Sequence, residues 1–145
     1  MFIKIPVASG YLHLGDALVY LSALVLGAPY ALIAAALGEG LADIAGGYVM
    51  YFPATVIVKC LIALPFIFER KNTDGKLFTK KTALLTLPSG AITVLGYFIA
   101  DLIIDKSYAV VDIAGNVIQA IGSAVAFILI AIAFDKARVI EKIDF

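Results

Sequence analysis

Residues 38–59 read GEGLADIAGGYVMYFPATVIVK, and this stretch decides how the rest of the chain is understood. Glu39 and Asp43 stand one helical turn apart in a setting that is otherwise almost wholly apolar. A Gly46-Gly47 break follows, then Tyr48, Tyr51 and Pro53, and then Lys59 with hydrophobic residues on nearly every side. An ionisable group in hydrocarbon costs several kcal/mol, so such groups persist where they face a protein interior or a wet cavity. The stretch therefore predicts the floor and wall of an intramembrane binding site.

Composition points the same way. Of 145 residues, 63% are hydrophobic and 15% charged, with a mean hydropathy of +1.04. So few charges could not cover the apolar surface of a soluble domain of this size. The formal net charge is zero and no basic run occurs, so nothing points to nucleic acid as a partner. The single cysteine, Cys60, excludes an intrachain disulfide, and one His with one Cys gives no metal-ligand spacing. No GxxxxGK[ST] motif is present and no nucleophile–base pair stands out, so the reading is of a non-enzyme that needs no cofactor and cannot hydrolyse ATP.

The fold class that follows is an all-α integral membrane protein, a single domain over residues 1–145 with five spans. Residues 1–13 read as an outer loop or lid, broken by Pro6 and Gly10 and too short to be a signal peptide. Residues 14–68 hold three helices, Leu14 to Leu26, Tyr30 to Ile44 and Phe52 to Phe68, with Pro29 and Pro53 at helix starts. Hydropathy alone equally allows Ala17 to Leu37 as one span of about 20 residues. Ala34, Gly38, Ala42 and Gly46 recur every fourth residue, and this predicts a helix–helix packing stripe. Residues 69–81 form the substantial hydrophilic loop, residues 82–134 two further helices and residues 135–145 a tail. Arg70, Lys71, Lys76, Lys80 and Lys81 in the loop, and Lys136, Arg138 and Lys142 in the tail, put both on the cytoplasmic side of the plasma membrane.

With the loop inside, polar residues gather toward the outer half. His13 and Asp16 open a helix there, Asp43 and Tyr48 close the next, and Tyr97, Asp101, Asp112, Asn116 and Gln119 lie in the outer parts of the last two spans. The candidate substrate-binding set is His13, Asp16, Glu39, Asp43, Lys59, Tyr97, Asn116 and Gln119. Each has a structural alternative. Asp16 can cap its helix, Glu39 or Asp43 can neutralise Lys59, and the amides can bond between helices.

The segments GYLHLGDALVYLSALVLG, APYALIAAALGEGLADIAGGYVMYFPATVIVK, GYFIADLI and DIAGNVIQAIGSA resemble the substrate-binding S component of energy-coupling-factor (ECF) vitamin transporters, in the branch for riboflavin or hydroxymethylpyrimidine-like substrates. The resemblance implies a six-helix fold of which this chain carries five, the first being absent, and capture of a small heteroaromatic vitamin from outside. It also implies partners: a transmembrane coupling subunit and two cytoplasmic ATPase subunits. The family's GN-x-x-Q segment falls on Asn116 and Gln119 and its LGD segment on Leu14 to Asp16, whereas Ala114 stands where many relatives have proline. The missing first helix, which such proteins use for docking, suggests a reading frame that extends upstream of Met1. The other class of function left open is a membrane scaffold or assembly protein whose intramembrane charges only neutralise one another.

Overall fold

The computed structural model describes the backbone of residues 5–7 and 10–12 and the whole of residues 15–139. Five helices make up the body: α1 (Gly15–Leu26), α2 (Tyr30–Gly46), α3 (Phe52–Glu69), α4 (Lys80–Ile104) and α5 (Ala109–Lys136). A 3-10 turn, Val49–Tyr51, leads into α3, and another, Arg70–Asn72, leaves it. The expected outer loop contains a small antiparallel hairpin, β1 (Ile5–Val7) with β2 (Gly10–Leu12), in which Pro6 faces Tyr11. Proline fits a ladder this small because both strands are edges.

Helix lengths set the frame. Three helical segments, Val49–Asn72, Lys80–Ile104 and Ala109–Lys136, are long and apolar enough to cross a membrane. At 1.5 Å per residue, α1 with its 12 residues reaches only about 18 Å, roughly half a bilayer. The chain turns between α1 and α2 at Gly27, whose φ of +68° suits a residue without a Cβ, so the fused span allowed by hydropathy does not form. α2, α3, α4 and α5 pack each on the next, and α1 lies against α2, α3 and α5. The bundle thus has two ends: a basic end carrying residues 70–79 and Lys136, and a far end carrying the α4–α5 turn.

At the basic end, side chains tie helix termini together. The Arg70 guanidinium donates to the carbonyls of Leu24 (3.0 Å) and Val25 (3.2 Å), satisfying orphan acceptors at the C-terminus of α1 with a positive charge at the negative end of its dipole. The Asp135 carboxylate accepts from the backbone N–H groups of Leu77 and Phe78, both at 2.8 Å, which pins the loop to the end of α5. Thr79 and Thr82 form a reciprocal capping box at the start of α4. The far-end turn is closed by Ser107, whose N–H and hydroxyl donate to Asp105 Oδ1 and hold that carboxyl below the usual carboxylate range.

Lipid removes most of the hydrophobic incentive for helices to associate, so close packing must hold the bundle. Tyr20 of α1 stacks on Phe66 of α3 at 4.5 Å, and Phe127 of α5 meets both rings edge-on at 5.7 and 5.3 Å. Such ring pairs are worth about 0.5–1.5 kcal/mol each. α4 buries Thr82, Thr86, Ser89, Gly90 and Thr93, a face of small residues, and Ser89 Oγ donates across to the Ile62 carbonyl at 3.1 Å. Polar residues thus extend beyond the outer half in which the sequence gathers them: the basic half of α4 carries a line of satisfied hydroxyls.

The four-residue stripe on α2 does not pack as expected. Ala34 and Gly38 are exposed, and no atom lies within 4 Å of where a Gly38 Cβ would stand. The residues of α2 that are buried are Ala31, Ala35 and Gly40, the last with the Phe52 ring 2.7 Å from its would-be Cβ. A strict repeat of four turns about 40° per step around a 3.6-residue helix, so it drifts off any one contact face.

Candidate functional site: a polar seam between three helices

Three helices carry polar residues at spacings of three or four, and the bundle turns these stripes toward one another. On α3 and the turn before it stand Tyr51, Thr55 and Lys59; on α4, Thr93, Tyr97 and Asp101; on α5, Asp112, Asn116, Gln119 and Ser123. The first two run antiparallel and in step. Tyr51 donates to Asp101 Oδ1 at 2.7 Å, and the Thr55 and Tyr97 hydroxyls share a hydrogen bond of 3.0 Å. One further turn in, the Lys59 ammonium sits 5.4 Å from the centroid of the Tyr97 ring. A cation over that ring face is attracted by its quadrupole.

Asp16 closes the seam from α1. Its Oδ1 pairs with Lys59, and neither side chain reaches solvent. Its Oδ2 accepts from Thr93 Oγ1 at 3.3 Å and from Gln119 Nε2 at 3.4 Å. One carboxylate thereby links α1 to α3, α4 and α5. Two buried charges are tolerable when they are paired and further polar contacts satisfy them; both Asp16 oxygens are hydrogen-bonded, and Lys59 has Asp16 and the Tyr97 ring face. Because α1 starts at this level, the stripes of α3, α4 and α5 continue toward the far end with no turn of α1 between them.

The sequence-predicted residues separate into groups. Asp16, Lys59, Tyr97 and Gln119 come together as just described. Asp16 lies at the depth of Lys59, not at the end of the bundle, because α1 is only half a span long. The partner that neutralises Lys59 is Asp16, and the expectation that Glu39 or Asp43 does so is corrected accordingly. The Glu39 carboxylate instead occupies the space where a Cβ on Gly15 would stand, beside the N-terminus of α1, where an anion meets the positive end of the dipole. Asp43 is half-buried one turn further along α2. Asn116 is half-buried on the α5 stripe and makes no hydrogen bond with the described residues. His13 lies outside the described residues.

Sequence reasoning missed Thr93 and Ser123 as members of the seam, and placed Tyr51 and Thr55 only within the wall-forming stretch 38–59, outside the candidate substrate-binding set. The signal was present in the recurrence of hydroxyl-bearing residues four apart on α3 and α4. It is masked in a hydropathy plot because Thr and Tyr are nearly neutral there. Chemically the seam offers amides, hydroxyls and carboxylates in an apolar enclosure, with β2 lying against α5 above it. Among the described residues no group of three or more His, Cys, Asp or Glu gathers that could hold a metal ion.

A helical membrane protein with a half-span helix and a polar seam is the class these features define. A family described as "ECF-type riboflavin transporter, S component" matches residues 1–136, and the chain belongs to it. Membership makes it a membrane transporter subunit of the S-component kind, concerned with vitamin uptake in partnership with an ECF module. No curated protein and no solved structure matches the chain.

Proposed function

We propose that the chain is the ligand-capturing subunit of an ECF-type uptake system, taking a vitamin-sized heteroaromatic into the far half of the seam. Its basic end faces the cytoplasm and its far end faces outward, a reading that the Lys and Arg of residues 70–81 support. A transmembrane coupling subunit and two ATPases supply the energy, and this chain performs no chemistry of its own. The Asp16–Lys59 pair forms the floor, Tyr51 and Tyr97 offer ring faces and hydroxyls, and Asn116 and Gln119 supply amides. Sites of this kind are mostly apolar with a few convergent polar groups that fix orientation.

One observation carries the reading. Asn116 is half-buried in a membrane helix, one turn from the buried Gln119, yet it bonds to none of the described residues. A scaffold would gain nothing from an unmatched amide at this depth, whereas a ligand ring with donors and acceptors would match it. The test is to purify the protein in detergent, identify what co-elutes by mass spectrometry, and titrate the apo form with it and with riboflavin. Stoichiometric binding of a heteroaromatic supports capture. A protein that carries no small molecule and binds none in titration would favour the scaffold.

A further inference from the structure

Among the described residues, two carboxylates at the far end have no counter-charge. Asp101 is 1% exposed; its Oδ1 takes the Tyr51 hydroxyl, and its Oδ2 is buried with no partner. Asp112 is half-buried, and its Oδ1 is likewise buried without a partner. The α4–α5 turn runs from Ile104 to Ala109, so residues 101 and 112 stand equally far from it on the two arms of the hairpin, and the two carboxyls are close enough to repel each other.

The surroundings sharpen the deficit. Asp112 sits in the first turn of α5, where the helix dipole favours an anion. Asp101 sits in the last turn of α4, where the dipole opposes one. Neither acid forms an ion pair with a described residue. Lys59 lies two turns deeper, about 12 Å along the helix, and Asp16 already matches its charge. Lys106, in the turn itself, is exposed. A buried carboxylate left in this state must take up a proton or receive a cation.

We propose that Asp101 and Asp112, with the Tyr51 hydroxyl, form a subsite for a primary ammonium group on the captured ligand. This rests on the capture reading above and adds the charge class of the ligand: a heteroaromatic ring bearing a protonated aminomethyl arm. The arm sits at the far end while the ring occupies the seam between Tyr97, Asn116 and Gln119. An ammonium presents three N–H donors, which match Asp101 Oδ2, Asp112 Oδ1 and the Tyr51 oxygen. A metal ion suits the place poorly, since no third acidic, His or Cys ligand joins the two among the described residues.

The test uses a matched pair of probes, 4-amino-2-methylpyrimidine carrying either an aminomethyl or a hydroxymethyl arm at C5, with riboflavin as a larger neutral ring. All three are titrated into the purified chain by calorimetry. The aminomethyl probe should bind about tenfold or more tightly than its hydroxymethyl twin, because only it fills a desolvated charge site. In Asp101→Asn that ratio should fall to about twofold or less, the effect of discharging one member of a buried pair. Asp112→Asn, at a half-buried position that tolerates replacement more easily, should lower it in the same direction. Equal affinity of the two pyrimidines, a preference that survives in the double variant, or binding of riboflavin alone would each overturn the ammonium subsite and leave capture standing. A well-folded parent that binds none of the three would overturn the ammonium subsite, and capture as well if no small molecule co-purifies with it.

Discussion

Asp16 and Lys59 form an ion pair from which solvent is excluded on both sides, and Asp16 alone connects α1 to three other helices through Lys59, Thr93 and Gln119. Removing one member of a buried pair leaves an uncompensated charge, which costs about 3–5 kcal/mol. Lys59→Met and Asp16→Asn should therefore each lower the thermal midpoint of the detergent-solubilised protein sharply. The double variant, which removes both charges, should recover more than half of the loss. Additive losses in the double variant would show that the two residues act independently.

Arg70 serves α1 rather than only setting the charge of the loop. Its guanidinium holds two carbonyls at once, at Leu24 and Val25. Arg70→Ala should destabilise the fold by about 1–2 kcal/mol, the scale of a lost helix-end contact with charge–dipole character. Arg70→Lys should recover little, because a compact ammonium cannot span both acceptors in fixed geometry. Thermal unfolding followed by helical circular dichroism reads the difference; full recovery by lysine would reduce the residue to a point charge.

Gly96 admits Val58. A Cβ at position 96 would collide with the Val58 side chain, whose Cγ1 and Cβ lie at 3.5 and 3.6 Å with the other methyl closer still. Gly96→Ala should cost about 1–3 kcal/mol by overpacking the α3–α4 contact. Val58→Ala should relieve that cost when the two changes are combined, so the double variant should be more stable than Gly96→Ala alone. A double variant no better than the single would place the strain elsewhere.

These contacts show what the sequence could and could not disclose. All five helices were legible within about two residues at each end, because proline, glycine and the polar loop punctuate long apolar runs. The carboxylates and amides of α4 and α5 were legible in the far half, but the hydroxyls of Thr82, Thr86 and Ser89 in the other half of α4 were not. Pairing was not. Lys59 has acids at 16, 39 and 43 within plausible reach, and only the half-span length of α1, which puts Asp16 at mid-depth, selects among them. The α2 stripe misled for a related reason. A small residue in a membrane helix permits close approach without saying which neighbour approaches, and on α2 it is Gly40 that takes the Phe52 ring. Thr93 went unread, and Tyr51 was read without its partner Asp101, because a hydroxyl acquires its meaning from the group opposite.

The proposed orientation gives a labelling pattern. In a cysteine-free background made by Cys60→Ala, a single cysteine at Lys76, in the basic loop, should be protected from an impermeant maleimide in intact cells. One at Ser107, in the exposed far-end turn, should react. Modification at 76 and protection at 107 would invert the protein in the membrane and move the seam's open half to the cytoplasmic side.

Asn116 and Gln119 share one face of α5 and differ in what they already hold. Gln119 is buried and donates to Asp16 at 3.4 Å, so its loss disturbs the floor of the seam as well as any ligand. Asn116 bonds to none of the described residues, so its loss should fall on the ligand alone. Asn116→Ala should accordingly weaken binding of the co-purified ligand by about 1–3 kcal/mol while leaving the thermal midpoint of the apo protein within a degree or two. Gln119→Ala should lower both the affinity and the apo midpoint. Titration calorimetry and thermal unfolding of the same preparations separate the two effects. Affinity equal to that of the parent in Asn116→Ala would remove α5 from the ligand's surroundings, and the pocket would then have to lie between α2 and α3, against Glu39 and Asp43.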